Sequence, residues 1–182
     1  MLPCTKSRSL APLTTLGLGG PAAHFVEARQ REDVVEALSW ADERALPVGI
    51  LGGGSNLVVG DAGFDGLVVK VATRGVTIEC DGDDALVTAQ AGEPWDDLVE
   101  RALAERLQGI ECLTGIPGNV GATPIQNVGA YGQEVADVIE AVEVIDRARG
   151  VTTWLSRESQ QNPCRIIGSV PDKKKNAPEK HL

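Results

Sequence analysis

The sequence predicts an α+β fold, and three observations carry that reading. Residues 31–44 and a segment from Gly92 to Glu105 place apolar side chains at helical spacing. Several short apolar runs bounded by glycine, proline and aspartate read as strands with their turns. With 182 residues and 42% hydrophobic content, the chain can bury a real interior, as one domain or as two small ones sharing a core.

Charge and cysteine usage narrow the partners. A net charge of −9 and a pI near 4.7 exclude nucleic acid and anionic membrane surfaces as expected partners. An anionic small ligand remains open, because glycine loops and helix N-termini bind anions without net positive charge. Cys4, Cys80, Cys112 and Cys164 are widely spaced, with only His24 and His181 to join them, so no metal site is expected. The longest apolar runs are short and broken by glycine, which predicts no membrane span and a cytoplasmic protein with reduced thiols.

Taken in order, residues 1–12 contain Pro3 and Pro12 and are expected to form a loose lead-in. The glycine-rich turn Thr14 to Ala22 then feeds the apolar run Ala23 to Val26. In the first helix, Val34, Val35, Leu38 and Ala41 form a sheet-covering stripe, and Trp40 is expected to pack rather than to stack on a flavin or base. Pro47 to Leu51 reads as a short buried strand, followed by strands at Leu67 to Val71, Val76 to Glu79 and Ala85 to Ala91. Their turns fall at Gly63–Gly66, Arg74–Gly75 and Asp81–Asp84. Gly92 is expected to cap the second helix with Pro94 in its first turn; Trp95, Leu98, Val99, Ala102 and Leu103 form its apolar face. Val138 to Ile145 and Val151 to Leu155 suggest a hairpin around Arg149 and Gly150. Residues 157–182 carry six Lys/Arg against three Asp/Glu, while residues 1–156 carry eleven against twenty-three. The stretch 157–182 lacks apolar periodicity and is expected to be a polar, disordered tail.

Two stretches point to chemistry. The 47–51 strand runs into Gly52-Gly53-Gly54-Ser55-Asn56-Leu57, an arrangement that serves equally as a tight turn or as a phosphate cradle. No Lys-Ser/Thr follows the glycines, and Leu57 stands where a dinucleotide fingerprint would need its third glycine. The second stretch, GIPGNVGATPIQNVGAYG at 115–132, holds five glycines and two prolines in eighteen residues. Glycine permits positive φ and close backbone approach, while proline fixes φ. Uncharged Asn119, Thr123, Gln126, Asn127 and Tyr131 suit a polar ligand held by directional hydrogen bonds. The segment is expected to be a shaped, ligand-cradling loop rather than helix or strand.

Three blocks in this order, TTLGLGGPA, ILGGGSNLVV and GIPGNVGATPIQNVGAYGQEV, resemble the UDP-N-acetylenolpyruvoylglucosamine reductase (MurB) family over about residues 13–156. The resemblance implies a two-subdomain FAD-binding fold of the vanillyl-alcohol oxidase / PCMH type, with FAD bound non-covalently between the subdomains. It implies that Gly53, Gly54, Ser55 and Asn56, with Leu57 beside them, hold the pyrophosphate. Pro117, Gly118, Gly121, Ala122, Thr123, Gln126 and Asn127 would line the flavin, and Tyr131 would face the substrate. The implied reaction uses NADPH as co-substrate to reduce the enolpyruvyl group of a UDP-sugar in peptidoglycan precursor synthesis, with hydride chemistry belonging to the cofactor.

The chain departs from that pattern after the hairpin. Where the family carries a Tyr-Arg-Asp-Ser-type stretch, this chain reads Ser159-Gln160-Gln161-Asn162-Pro163-Cys164. The family's catalytic arginine, serine and glutamate match no position, and Arg157 and Arg165 lack the family context. The expectation is an FAD-binding part, residues 13–156, with the substrate-binding domain missing and the catalytic residues unassigned. The alternative is a non-catalytic flavin- or nucleotide-binding module completed by another polypeptide. A flavin oxidase of the wider fold lacks support, because no His or Cys stands in the setting that tethers FAD.

Overall fold

The computed structural model describes residues 4–82, 84–147, 149–156 and 169–173. Two α+β units are built one after the other and share a seam. The first contains β1 (Thr5–Ser9), β2 (Pro21–Ala28), α1 (Arg31–Asp42), β3 (Val48–Leu51) and β4 (Phe64–Val71). Its sheet runs β1-β2-β4-β3, with β4 parallel to both β2 and β3, and β1 antiparallel to β2. The α1 stripe Val34, Ala37, Leu38 and Ala41 packs on Val26 and Ala28 of β2 and on Leu67, Val69 and Val71 of β4. Each Val or Leu side chain buried this fully contributes about 1.5–3 kcal/mol.

Residues 5–9 correct the expected loose lead-in. They are an edge strand whose side chains are all exposed, and Leu10 behind them is buried. A strand with polar residues on both faces shows no alternation, so only its ladder to β2 creates it. The second strand also extends well beyond the apolar run 23–26. Helix α1 stops at Asp42, two residues early, as Ala45 turns to φ +51 and the Leu46 N–H donates to the Ala41 carbonyl. Trp40 packs against the same core, with the Arg44 guanidinium 4.5 Å from its ring and His24 edge-on at 5.1 Å.

The second unit contains β5 (Val76–Asp81), β6 (Asp84–Gln90) and α2 (Trp95–Ala104). After two 3-10 turns, Glu111–Leu113 and Val120–Ala122, come α3 (Thr123–Gln126), β7 (Gly129–Ala130), β8 (Gln133–Glu134), β9 (Ala141–Asp146) and β10 (Val151–Ser156). The apolar face of α2 packs with Leu113, Val120, Val135, Ile139 and Val142 into one core. Leu103, expected on that face, is instead 46% exposed. The N-cap of α2 is Pro94 itself, and Gly92 donates its N–H to buried Thr73 Oγ1 at 3.1 Å. The expected hairpin is β9–β10, antiparallel, pairing Asp146 with Val151. It starts at 141 because Val135–Asp137 is a further 3-10 turn.

Residues 169–173, inside the stretch read as a disordered tail, form β11 (Ser169–Lys173), antiparallel to β6. The rest of that stretch, with Arg157, Arg165 and the Ser159–Cys164 segment, lies outside the described residues.

Hydrophobic and ionic contacts close the seam between the units. Ala91 and Ile145 from the second unit belong to the core of the first. Arg31 of α1 pairs with Glu143 of β9 at 3.0 Å, and Asp42 at the end of α1 pairs with Arg147 just after β9 at 2.6 Å.

Candidate cofactor site

The two glycine-bearing stretches meet face to face. A Cβ on Gly53 would stand 3.0 Å from Asn119 Oδ1 and 3.3 Å from Gly118 Cα; a Cβ on Gly118, at φ +123, would lie 3.3 Å from Ser55 Oγ. Gly54 adopts φ +73, and a side chain there would collide with the Leu13 carbonyl. Its own carbonyl accepts the Thr15 N–H at 3.0 Å, which ties the loop to the turn after β1. Thr14 holds that turn by donating its hydroxyl to the Leu18 carbonyl at 2.9 Å.

The loop presents unused donors. Among the described residues, the N–H groups of Gly53, Gly54, Ser55 and Asn56 and the Ser55 hydroxyl have no protein acceptor. Gly54 is itself buried. Gly53 and Asn56 are exposed and Ser55 is half-buried. Buried backbone donors are nearly always satisfied, so the unpaired Gly54 N–H beside a glycine seam fits an anionic, oxygen-rich group.

The central stretch is more regular than a shaped loop. Val120–Ala122 is a 3-10 turn, followed by the one-turn helix α3, which Pro124 starts and Asn127 ends at φ +43. Proline pre-sets φ at a first turn, and asparagine tolerates the left-handed cap, so the same residues that suggest a loop build a tight helical turn. Tyr131 at φ +52 and Gly132 at φ +83 then form the two-residue turn of the short β7–β8 hairpin. Anchors fix the stretch from outside: Trp95 N–H donates to the Gly118 carbonyl, Val120 N–H to Glu93 and Gly121 N–H to Ala91. Gly121 is required there, since its Cβ would lie 2.6 Å from Ala91 Cβ.

A cavity of about 410 Å³ lies along the seam, between β3, the turn 119–125 and the end of β9. Val48, Ile50, Val71, Ala91 and Ile145 give it apolar walls, while Asn119 and Arg147 bring polar groups. Of the residues assigned by resemblance, Gly121 and Ala122 line it, and Gly53, Ser55 and Gly118 form the adjoining seam. Asn56, Leu57, Pro117 and Gln126 are exposed. Thr123 is buried, its hydroxyl donated to the Val120 carbonyl at 2.8 Å. Asn127 spends its amide on Glu134 Oε2 and the Ala136 N–H. Tyr131 is 93% exposed at the hairpin tip. Asn119, expected from the sequence as a ligand-suited polar residue, lines the cavity. Gly52, Ile125 and Arg147 line it without having been expected there: the first two belong to stretches already marked by glycine, whereas nothing local marks Arg147.

The family described as FAD binding domain matches residues 22–156. The chain belongs to that FAD-binding domain family. The cradle fits the cofactor: it combines a glycine seam, unclaimed N–H donors and an apolar cavity beside them. The FAD-binding domain is 53% identical over 144 residues to UDP-N-acetylenolpyruvoylglucosamine reductase of Salinispora arenicola, covering 79% of this chain and 40% of the relative. It is 50% identical over 147 residues to the reductase of Streptomyces coelicolor, covering 81% of this chain and 37% of the relative. The chain thus spans about 40% of the length of the curated relatives it matches. Its fold superposes on the MurB reductase of Thermus caldophilus with a TM-score of 0.75 at 31% identity, covering 98% of this chain and 64% of that one. A solvent-stable cholesterol oxidase shares the fold at 19% identity and a TM-score of 0.67 over 97% of this chain and 38% of that one. The α+β, two-subdomain FAD-binding fold expected from the resemblance is therefore the observed one.

Proposed function

We propose that this chain is the FAD-holding part of a reductase that converts UDP-N-acetylglucosamine enolpyruvate to UDP-N-acetylmuramate with NADPH, in the cytoplasm. The meeting of the two glycine stretches supports this most directly, because it places unpaired N–H donors next to an apolar cavity. The N–H groups of Gly53 to Asn56 and the Ser55 hydroxyl receive the pyrophosphate. Gly118, Gly121 and Ala122 let the backbone approach the flavin closely, where a side chain would intrude. Thr123 and Asn127 act one step back, bracing the turn that carries those residues. Tyr131 stands outside the cavity, free to meet a substrate. When bound, FAD supplies the hydride chemistry.

Non-covalent binding is part of the same reading, since no Cys or His lines the cavity among the described residues. Protein loaded with FAD and then denatured should release all of its flavin to the filtrate. Flavin retained on the denatured chain would overturn non-covalent binding, and a chain that takes up no flavin would overturn the site.

A further inference from the structure

We propose that Cys4 and His24 form a thiol-modification site, in which Cys4 is the nucleophile toward small anionic disulfides and His24 accepts its proton. The site shares no residue with the cofactor seam and does not rest on the FAD reading. Cys4 is exposed, and its Sγ lies 3.8 Å from His24 Nδ1. His24 is half-buried on β2, with its ring edge-on to Trp40 at 5.1 Å, and the Arg44 guanidinium backs Trp40 at 4.5 Å. The imidazole is thus held between helix α1 and the thiol, with Nδ1 turned to sulfur. A thiol and a base within hydrogen-bonding reach, the base oriented by a third group, is the arrangement that activates a nucleophile.

Charge and ligand number set the class of partner. Lys6 stands opposite His24 in the β1–β2 ladder, and Cys4, two residues before Lys6, falls on the same face of the strand. Residues 4–9, Cys-Thr-Lys-Ser-Arg-Ser, carry two cations and no anion in a chain of net charge −9. Cys80 is exposed as well, but it stands between Glu79 and Asp81. Local charge therefore draws an anionic electrophile to Cys4 and repels it from Cys80. A metal ion fits poorly, because no third His, Cys, Asp or Glu joins the pair among the described residues. In the step, the Cys4 sulfur bonds to one sulfur of the disulfide as the S–S bond breaks. The thiol proton passes to His24 and from there to the departing thiolate. Cys4 is oxidised to a mixed disulfide, and the departing sulfur is reduced to a thiol.

The test mixes the full chain with dithiobis-nitrobenzoate, an anionic aromatic disulfide, follows release of the coloured thiolate and maps the adducts by peptide mass. Cys4 should be modified about tenfold or more ahead of Cys80, and Cys4→Ser should abolish that fast phase. His24→Phe keeps a ring against Trp40 without a proton acceptor, and should slow Cys4 about tenfold while Cys80 is unchanged. Lys6→Gln, a change at an exposed residue, should slow the anionic probe about threefold at low salt and leave dithiodipyridine, an uncharged disulfide, unaffected. If His24→Phe does not fold, wild type and Cys4→Ser still decide through the comparison of Cys4 with Cys80. Cys4 modified no faster than Cys80, a fast phase that survives Cys4→Ser, or an unchanged Cys4 rate in folded His24→Phe would each overturn the site. Equal effects of Lys6→Gln on the two probes would overturn the preference for an anionic disulfide.

Discussion

Ser55 separates a phosphate cradle from a tight turn. Its hydroxyl has no protein partner among the described residues and lies against Gly118, so a structural role would show only in stability. Ser55→Ala should weaken FAD by about 1–2 kcal/mol, one hydrogen bond to a charged group, and leave riboflavin affinity unchanged because riboflavin has no phosphate. Equal losses for the two ligands, measured by fluorescence titration, would make the loop a turn and nothing more. At this scale the site was legible wherever geometry demands a particular residue. Gly54 and Gly118 sit at positive φ, and Gly121 sits where backbone approaches Ala91, so the glycines carry their reason in the sequence. Arg147 carries none. Its place comes from Asp42, 105 residues away in the chain. Asn127, expected from the sequence as ligand-facing, engages its amide with Glu134 and the Ala136 N–H, contacts that no local pattern announces.

Elements with an apolar face were legible, and elements made only by their partners were not. Helix α2 shows the first kind. Trp95 is 1% exposed, and its indole N–H donates to the Leu113 carbonyl at 2.9 Å while its backbone N–H holds Gly118. One residue thus joins the helix start to both ends of the segment leading into the cofactor seam. Trp95→Phe should destabilise the fold by about 1–3 kcal/mol in urea unfolding, since it leaves the buried Leu113 carbonyl without a donor and opens a void. FAD affinity should fall with it as the 113–118 segment loosens. A variant as stable as wild type would mean that water satisfies the carbonyl. Strand β1 shows the second kind: its residues Thr5–Ser9 are all exposed, so the order comes from the ladder to β2. The one-turn helix α3 was hidden for a different reason. Its Pro124 and Asn127 are also common loop residues, and four residues are too few to show a helical period.

The whole molecule is a cofactor holder whose two units are stapled across the cleft by Arg31–Glu143 and Arg147–Asp42. Holding a cofactor and completing the reaction are different demands. Hydride delivery to an enol ether requires the developing negative charge on the substrate to be stabilised and then protonated, and a positioned acid alone is worth about a hundred- to ten-thousand-fold. Positioning is what makes such groups effective, and the sequence resemblance gives the family's arginine, serine and glutamate no position here. The chain spans about 40% of the length of its curated relatives. The 182-residue chain taken by itself should therefore bind FAD and show slow NADPH oxidation, with no acceleration when the UDP-sugar is added. Mixing protein, FAD, NADPH and UDP-N-acetylglucosamine enolpyruvate, and following NADPH loss against product, tests this directly. Substrate-dependent oxidation above the flavin-only background, with UDP-N-acetylmuramate appearing in step, would refute the expectation. It would also mean that groups within this chain supply both the electrostatic stabilisation and the proton.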